Sequence, residues 1–127
     1  MTVRLAFLVI PGEPKAKARP RVTRFGTYTP KTTVEYEDSI RAAWDALDRY
    51  PDLPACVRLD VRFYLGTHRH TDVDNMVKAV KDALNKRAYD DDWQVHELRA
   101  QKFYTSKDRA RTEVTVYAIE PDREERL

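Results

Sequence analysis

The residues best suited to chemistry lie in Thr71-Asp72-Val73-Asp74-Asn75-Met76-Val77-Lys78 and in Tyr89-Asp90-Asp91-Asp92-Trp93-Gln94-Val95. On a continuous helix Asp72 and Asp74 would point about 200° apart, because each residue turns the chain by about 100°. Both can face one ion only if Asp72 precedes the helix and Asp74 lies in its first turn. Thr71 is the expected cap that sets this junction, and Asn75, Lys78 and Asp82 then share one helix face. Carboxylates in a first turn also offset the helix dipole by ~0.3–1 kcal/mol, and Asp74–Lys78 could be a surface pair worth ~0.3–0.5 kcal/mol. The second acidic run shifts the balance. Three successive carboxylates repel one another and have little strand propensity, so a compensating cation is expected beside them. Hard oxygen donors of this kind suit Mg²⁺, with Mn²⁺ as a substitute. No EF-hand spacing is present, which sets calcium sensing aside.

Such a set fits phosphodiester hydrolysis: carboxylates hold one or two divalent ions that activate water, and Lys78 offsets charge in the transition state. Lys81 points off that face, toward solvent or a backbone phosphate. His68 and His70 are expected to be exposed, and Cys56 to be a small core residue. Most of the tyrosines read as packing residues. Tyr28, within a basic stretch, is the best candidate for base stacking.

The charge distribution agrees. Residues 1–31 carry seven basic side chains against Glu13 alone, whereas residues 70–97 carry seven acidic against four basic. A basic arm beside an acidic centre suits a protein that holds a polyanion and places metal ions on it. Lys15, Lys17, Arg19, Arg21 and Arg24 are the expected contacts to that polyanion, DNA by the resemblance given below. The chain has 127 residues, 42% of them hydrophobic and 35% charged, so it suits a single folded domain. Only three glycines argue against a glycine-rich phosphate loop or a turn-dense sandwich as the framework. The single cysteine allows no internal disulfide or cysteine zinc site, and no apolar run reaches the ~20 residues of a membrane span. A cytoplasmic protein without a signal peptide or membrane partner is expected.

The elements that must position these residues can be read from periodicity. Val3–Ile10 is apolar on both faces and is expected to be a central strand ended by Pro11-Gly12. Residues 15–30 read as a long basic loop. Thr32 and Glu35 have capping-box spacing ahead of a helix whose core face is Tyr36, Ile40, Ala43, Trp44 and Leu47, with Pro51–Pro54 as its stop. Residues 57–65 alternate as a half-buried strand. A second helix buries Val73, Met76, Val77, Val80 and Leu84, and strands follow near 94–104 and 112–119. Residues 121–127 form a charged, frayed tail. The expected fold is α+β: one domain over residues 1–127, with a mixed sheet of about four strands and two main helices.

The combination Pro11-Gly12-Glu13-Pro14, Lys17, Arg19-Pro20-Arg21 and Tyr28-Thr29-Pro30, followed by Asp72-x-Asp74-Asn75, Lys78-Ala79, Asp82-Ala83-Leu84 and Tyr89-x-Asp91-Asp92-x-Gln94-Val95, resembles the RusA family of Holliday-junction resolvases, common in prophages. The likeness runs from about residue 4 to 105, and its central acidic block is the specific part. It implies a small homodimeric, Mg²⁺-dependent endodeoxyribonuclease that nicks four-way DNA junctions symmetrically in recombination and repair, with no small-molecule cofactor. By this resemblance the catalytic set is Asp72, Asp74, Asp92 and Lys78. The metal ligands are Asp72, Asp74 and Asp92 together with Asp91, while Asp90 stands at a position the family pattern leaves variable.

Two competing readings make different demands. A nuclease of the Pro-Asp…(Asp/Glu)-x-Lys type would have to use Glu13-Pro14-Lys15, which lies upstream of every aspartate. A non-catalytic DNA- or junction-binding module would use the aspartates only as helix caps, and would need no metal.

Overall fold

The computed structural model describes residues 2–47, 54–121, 123 and 124. Its main sheet is built from β1 (Val3–Pro11), β4 (Val57–Leu65), β5 (Val95–Tyr104) and β6 (Arg111–Ala118), and its helices are α1 (Lys31–Asp45) and α2 (Val73–Leu84). Between β1 and α1 stand two short strands, β2 (Arg21–Thr23) and β3 (Gly26–Tyr28). The sheet order is β1-β6-β4-β5, with β4 and β5 parallel and the other neighbours antiparallel. This is the expected mixed sheet with two helices.

Strict alternation explains β4. Val57, Leu59, Val61, Phe63 and Leu65 are buried, whereas Arg58, Asp60, Arg62 and Tyr64 face outward. Ala6, Leu8 and Ile10 of β1 and Val114 and Val116 of β6 join the same core as Ile40 and Trp44 of α1 and Met76, Val80 and Leu84 of α2. Both helices therefore cover one face of the sheet. The Tyr36 hydroxyl meets that of Thr112 in this core, and burial, only partly offset by this bond, keeps the phenol protonated far above the ordinary range.

Several expectations change. β1 is an edge strand, not a central one, since it pairs only with β6. Phe7 and Val9 lie on the face that no helix covers and are 44% and 45% exposed, so two-faced apolarity here does not mean two-faced burial. The basic stretch 15–30 is not wholly loop: β2 and β3 pair as a hairpin, with Arg21 opposite Tyr28. Helix α1 starts after Pro30 with no side-chain cap, and Thr33, not Thr32, turns inward to accept a hydrogen bond from Ala18 N. Its helical turns stop at Asp45, with Ala46 as the cap, ahead of the proline pair. Residues 51–53 of that expected stop lie outside the described residues, as does most of the expected frayed tail. Among the described residues no helix is long and apolar enough to cross a membrane.

Candidate active site

The site forms where α2 overhangs the edge strand β5. The parallel unit β4–α2–β5 sets this geometry, because a strand paired parallel to its predecessor needs a crossover that returns the chain to the same end. On β5, Leu98, Ala100, Lys102 and Tyr104 face the helix side, in register with Leu59, Val61, Phe63 and Leu65. Lys102 Nζ donates to the Thr71 carbonyl at 2.7 Å, and the Tyr104 hydroxyl donates to that of Arg69 at 3.4 Å. These bonds fix the chain just before α2.

Asp72 occupies the N-cap position, where Thr71 was expected, and its side chain makes no capping hydrogen bond. Its backbone carbonyl accepts from Met76 N at 3.2 Å. Asp74 lies in the first turn, as the spacing requires. From there Asp74, Val77, Lys78, Lys81 and Asp82 descend one side of the helix and, with Asp92, Leu98 and Ala100, line a cleft of about 380 Å³. Lys81, expected off this face, is thus part of it. A lysine stem spans the offset between adjacent helix faces, which residue angles alone do not capture.

Beneath the cleft lies Tyr89, fully buried, with its hydroxyl donating to the Lys81 carbonyl at 2.7 Å. Burial, reinforced by the negative charges of Asp92 and Asp82, holds this phenol well above its ordinary pKa. The acidic run that follows is shaped by Gln94. Its Oε1 accepts from Asp90 N at 2.8 Å and Asp91 N at 3.0 Å, while its Nε2 donates to the Pro54 and Ala55 carbonyls, both at 3.3 Å. One buried amide therefore ties the aspartate turn to the approach of β4, and the short 3₁₀ turn Asp92–Gln94 delivers Asp92 to the cleft.

Of the residues singled out from sequence, Asp74, Lys78, Lys81 and Asp92 line one cleft, and Asp72 and Asp91 lie outside its lining. No hydrogen bond or ion pair to another described residue engages the side chains of Asp74, Lys78 or Asp92, so the alternative reading of Asp74–Lys78 as a surface ion pair does not hold. Among the described residues, no three or more His, Cys, Asp or Glu side chains are grouped to hold a metal ion by themselves. Mg²⁺ is commonly held by one or two carboxylates, its own waters and substrate phosphates, so an open cleft with Asp74 and Asp92 on opposite elements suits it.

The basic arm divides. Arg19, Arg21 and Arg24 are exposed, and Lys15 borders a separate hollow with Glu13, Arg69 and Lys107. Lys17, expected at DNA, has its ammonium bound by Glu37 and Asp82, and its backbone N donates to the Asn75 carbonyl at 2.8 Å. Glu13, whose triplet would serve a different nuclease type, instead accepts from Gly66 N and Thr67 Oγ1, both at 2.9 Å. His68 is exposed against the Tyr104 ring, and Cys56 is buried with its sulfur 3.6 Å from His96 Nε2. Sequence reasoning missed the positioning roles of Lys17, Tyr89, Gln94 and Lys102, all of which depend on distant partners.

A family model described as Endodeoxyribonuclease RusA matches residues 11–117. A 38-residue stretch is 58% identical to the uncharacterized protein YqaN of Bacillus subtilis (strain 168), covering 30% of this chain and 27% of that protein.

Proposed function

Because the chain belongs to the RusA endodeoxyribonuclease family, we propose that it resolves four-way DNA junctions by paired, symmetric, metal-dependent nicks. The observation that carries this reading is the convergence of Asp74, Asp92 and Lys78 in one cleft with no structural partner among the described residues. An aspartate serving only to cap α2 would bond the helix terminus, and the Asp72 side chain makes no such bond, whereas Asp91 stands in a capping box with Gln94 at the 3₁₀ turn. In this reading Asp74 and Asp92 would hold Mg²⁺ or Mn²⁺, with waters and substrate phosphates completing its shell, while Asp72 and Asp91 flank the cleft from the neighbouring turns. The bound ion supplies an acidified water and polarises the scissile phosphate.

The chain's own residues do the rest. Lys78 presents its ammonium to the charge that develops on the phosphoryl oxygens. Lys81, Lys15, Arg19, Arg21 and Arg24 neutralise backbone phosphates crowded at the branch point. One site per subunit cuts one strand, so a C₂ homodimer accounts for paired nicks without further machinery.

The test is a cleavage assay on a synthetic four-way junction beside linear duplex and single strands, with Mg²⁺ or with EDTA, for wild type and Asp74→Asn. Paired nicks near the branch point, lost with EDTA and in the variant, are expected. Tight junction binding with no cleavage under Mg²⁺ or Mn²⁺ would instead make the protein a binding module.

A further inference from the structure

The hairpin of β2 and β3 ends in an exposed aromatic ring that, among the described residues, only its neighbour Arg24 approaches as a ring contact. Phe25 is 86% exposed and Val22 80%, although the core has the capacity to bury large side chains elsewhere. The turn is built to hold Phe25 outward. Thr23 Oγ1 accepts from Phe25 N and donates to the Gly26 carbonyl, both at 3.2 Å, and Gly26 adopts φ +124°, a conformation that favours glycine. The Arg24 guanidinium lies over the Phe25 ring, 4.9 Å from its centre.

A two-stranded hairpin is marginal alone in water, so its root must be tied down. Ala18 N donates to Thr33 Oγ1 at 3.3 Å, and Lys17 is bonded to α1 through Glu37 and to α2 through Asn75 and Asp82. Asp82 lines the cleft with Asp74 and Asp92. The hairpin therefore emerges beside the cleft that holds the candidate catalytic groups.

Charge identifies the occupant. No acidic residue occurs between Glu13 and Glu35, whereas Arg24 sits at the tip and Arg21 and Arg19 lie at the base of the hairpin and just before it. A protein partner for Phe25 would have to accept this unbroken positive charge, while nucleic acid offers phosphates for the arginines and base faces for the ring. We propose that Phe25 is a wedge that stacks on a base at the branch point and so selects junctions over duplex. Rested on the function proposed above, this assigns the hairpin a specificity role distinct from phosphate neutralisation. A continuous duplex must be unstacked to admit a side chain, whereas a branch point already interrupts the stack, so the same ring gains more from a junction.

The test uses full-length protein made inert by Asp74→Asn, with 2-aminopurine at the branch point. Binding is expected to raise 2-aminopurine fluorescence. Adding Phe25→Ala should abolish that rise and weaken junction affinity about 5- to 100-fold, leaving duplex affinity unchanged, and Phe25→Trp should restore both. Equal junction affinity and fluorescence with and without the ring would overturn the wedge. A parallel loss on duplex would also overturn it, as would a Phe25→Ala protein that changes oligomeric state in sedimentation without DNA. A parent protein that itself shows no preference for junctions would overturn the junction reading first, and the wedge with it.

Discussion

Lys17 and Asp82 meet at 3.2 Å, joining the root of the basic arm to the helix that carries Asp74 and Lys78. The same ammonium lies 3.0 Å from both carboxylate oxygens of Glu37 on α1. One cation thus draws together two helices and the arm. It also engages the carboxylate of Asp82, which lines the same cleft as Asp74 and Asp92.

Removing that cation leaves Glu37, which is 4% exposed, facing Asp82 without compensation. Lys17→Met is expected to destabilise the protein by about 1.5–3 kcal/mol, since charge-assisted hydrogen bonds are lost. Urea unfolding measures this directly. The salt dependence of junction binding should stay as in wild type, because Lys17 faces carboxylates rather than phosphate. Arg19→Ala, Arg21→Ala and Arg24→Ala should each reduce the slope of log K against log salt by about 0.9 per lost phosphate contact.

The Lys17 bridge also sets an alkaline limit. Burial alone would lower its pKa, but the bonds and charges of Glu37 and Asp82 outweigh burial and raise it above the ordinary 10.5. A cation with a raised folded pKa contributes stability that is fully present below its unfolded value and lost as pH climbs through the folded one. The stability difference between wild type and Lys17→Met should therefore be constant from neutrality to about pH 10 and shrink above 10.5. The buried phenols of Tyr36 and Tyr89, both raised from 10.0, add destabilisation of the same sign in that range. Chemical denaturation from pH 7 to 12 measures the trend.

Lys78 separates chemistry from binding. With no described partner for its ammonium, Lys78→Ala should leave folding unchanged and lower cleavage by about 10²–10³-fold, with junction affinity changed little. Single-turnover cleavage beside gel-shift titration measures the two effects. Equal losses in both would make Lys78 a phosphate anchor.

Gln94 is the residue whose type the local structure demands. Its amide meets two N–H groups and two carbonyls within a buried site. Gln94→Ala would strand those groups, costing about 2–4 kcal/mol in stability and loosening the turn that presents Asp92. Cleavage at a temperature where the variant remains folded should still fall, and higher Mg²⁺ should recover part of the loss.

The sequence by itself marked the main strands and both helices and singled out the candidate acidic residues. Period-two burial marked β4 and β6, period-3.6 burial marked both helices, and the spacing of Asp72, Asp74 and Lys78 placed them around the start of α2. These signals are local, because the repeat of a strand or helix dictates which side chains share a face. Tertiary structure alone decided what the faces meet. It put β1 at an edge, paired with β6, and left Phe7 and Val9 exposed despite the strand's two-sided apolarity, because both helices cover the other side of the sheet. It brought Asp92 into the cleft and left Asp91 outside it, through a turn held by Gln94 bonds to the approach of β4. It also paired Lys17 with Glu37 and Asp82. An isolated lysine carries the same charge wherever it lies; its role depends on which distant carboxylates the packed helices bring within reach.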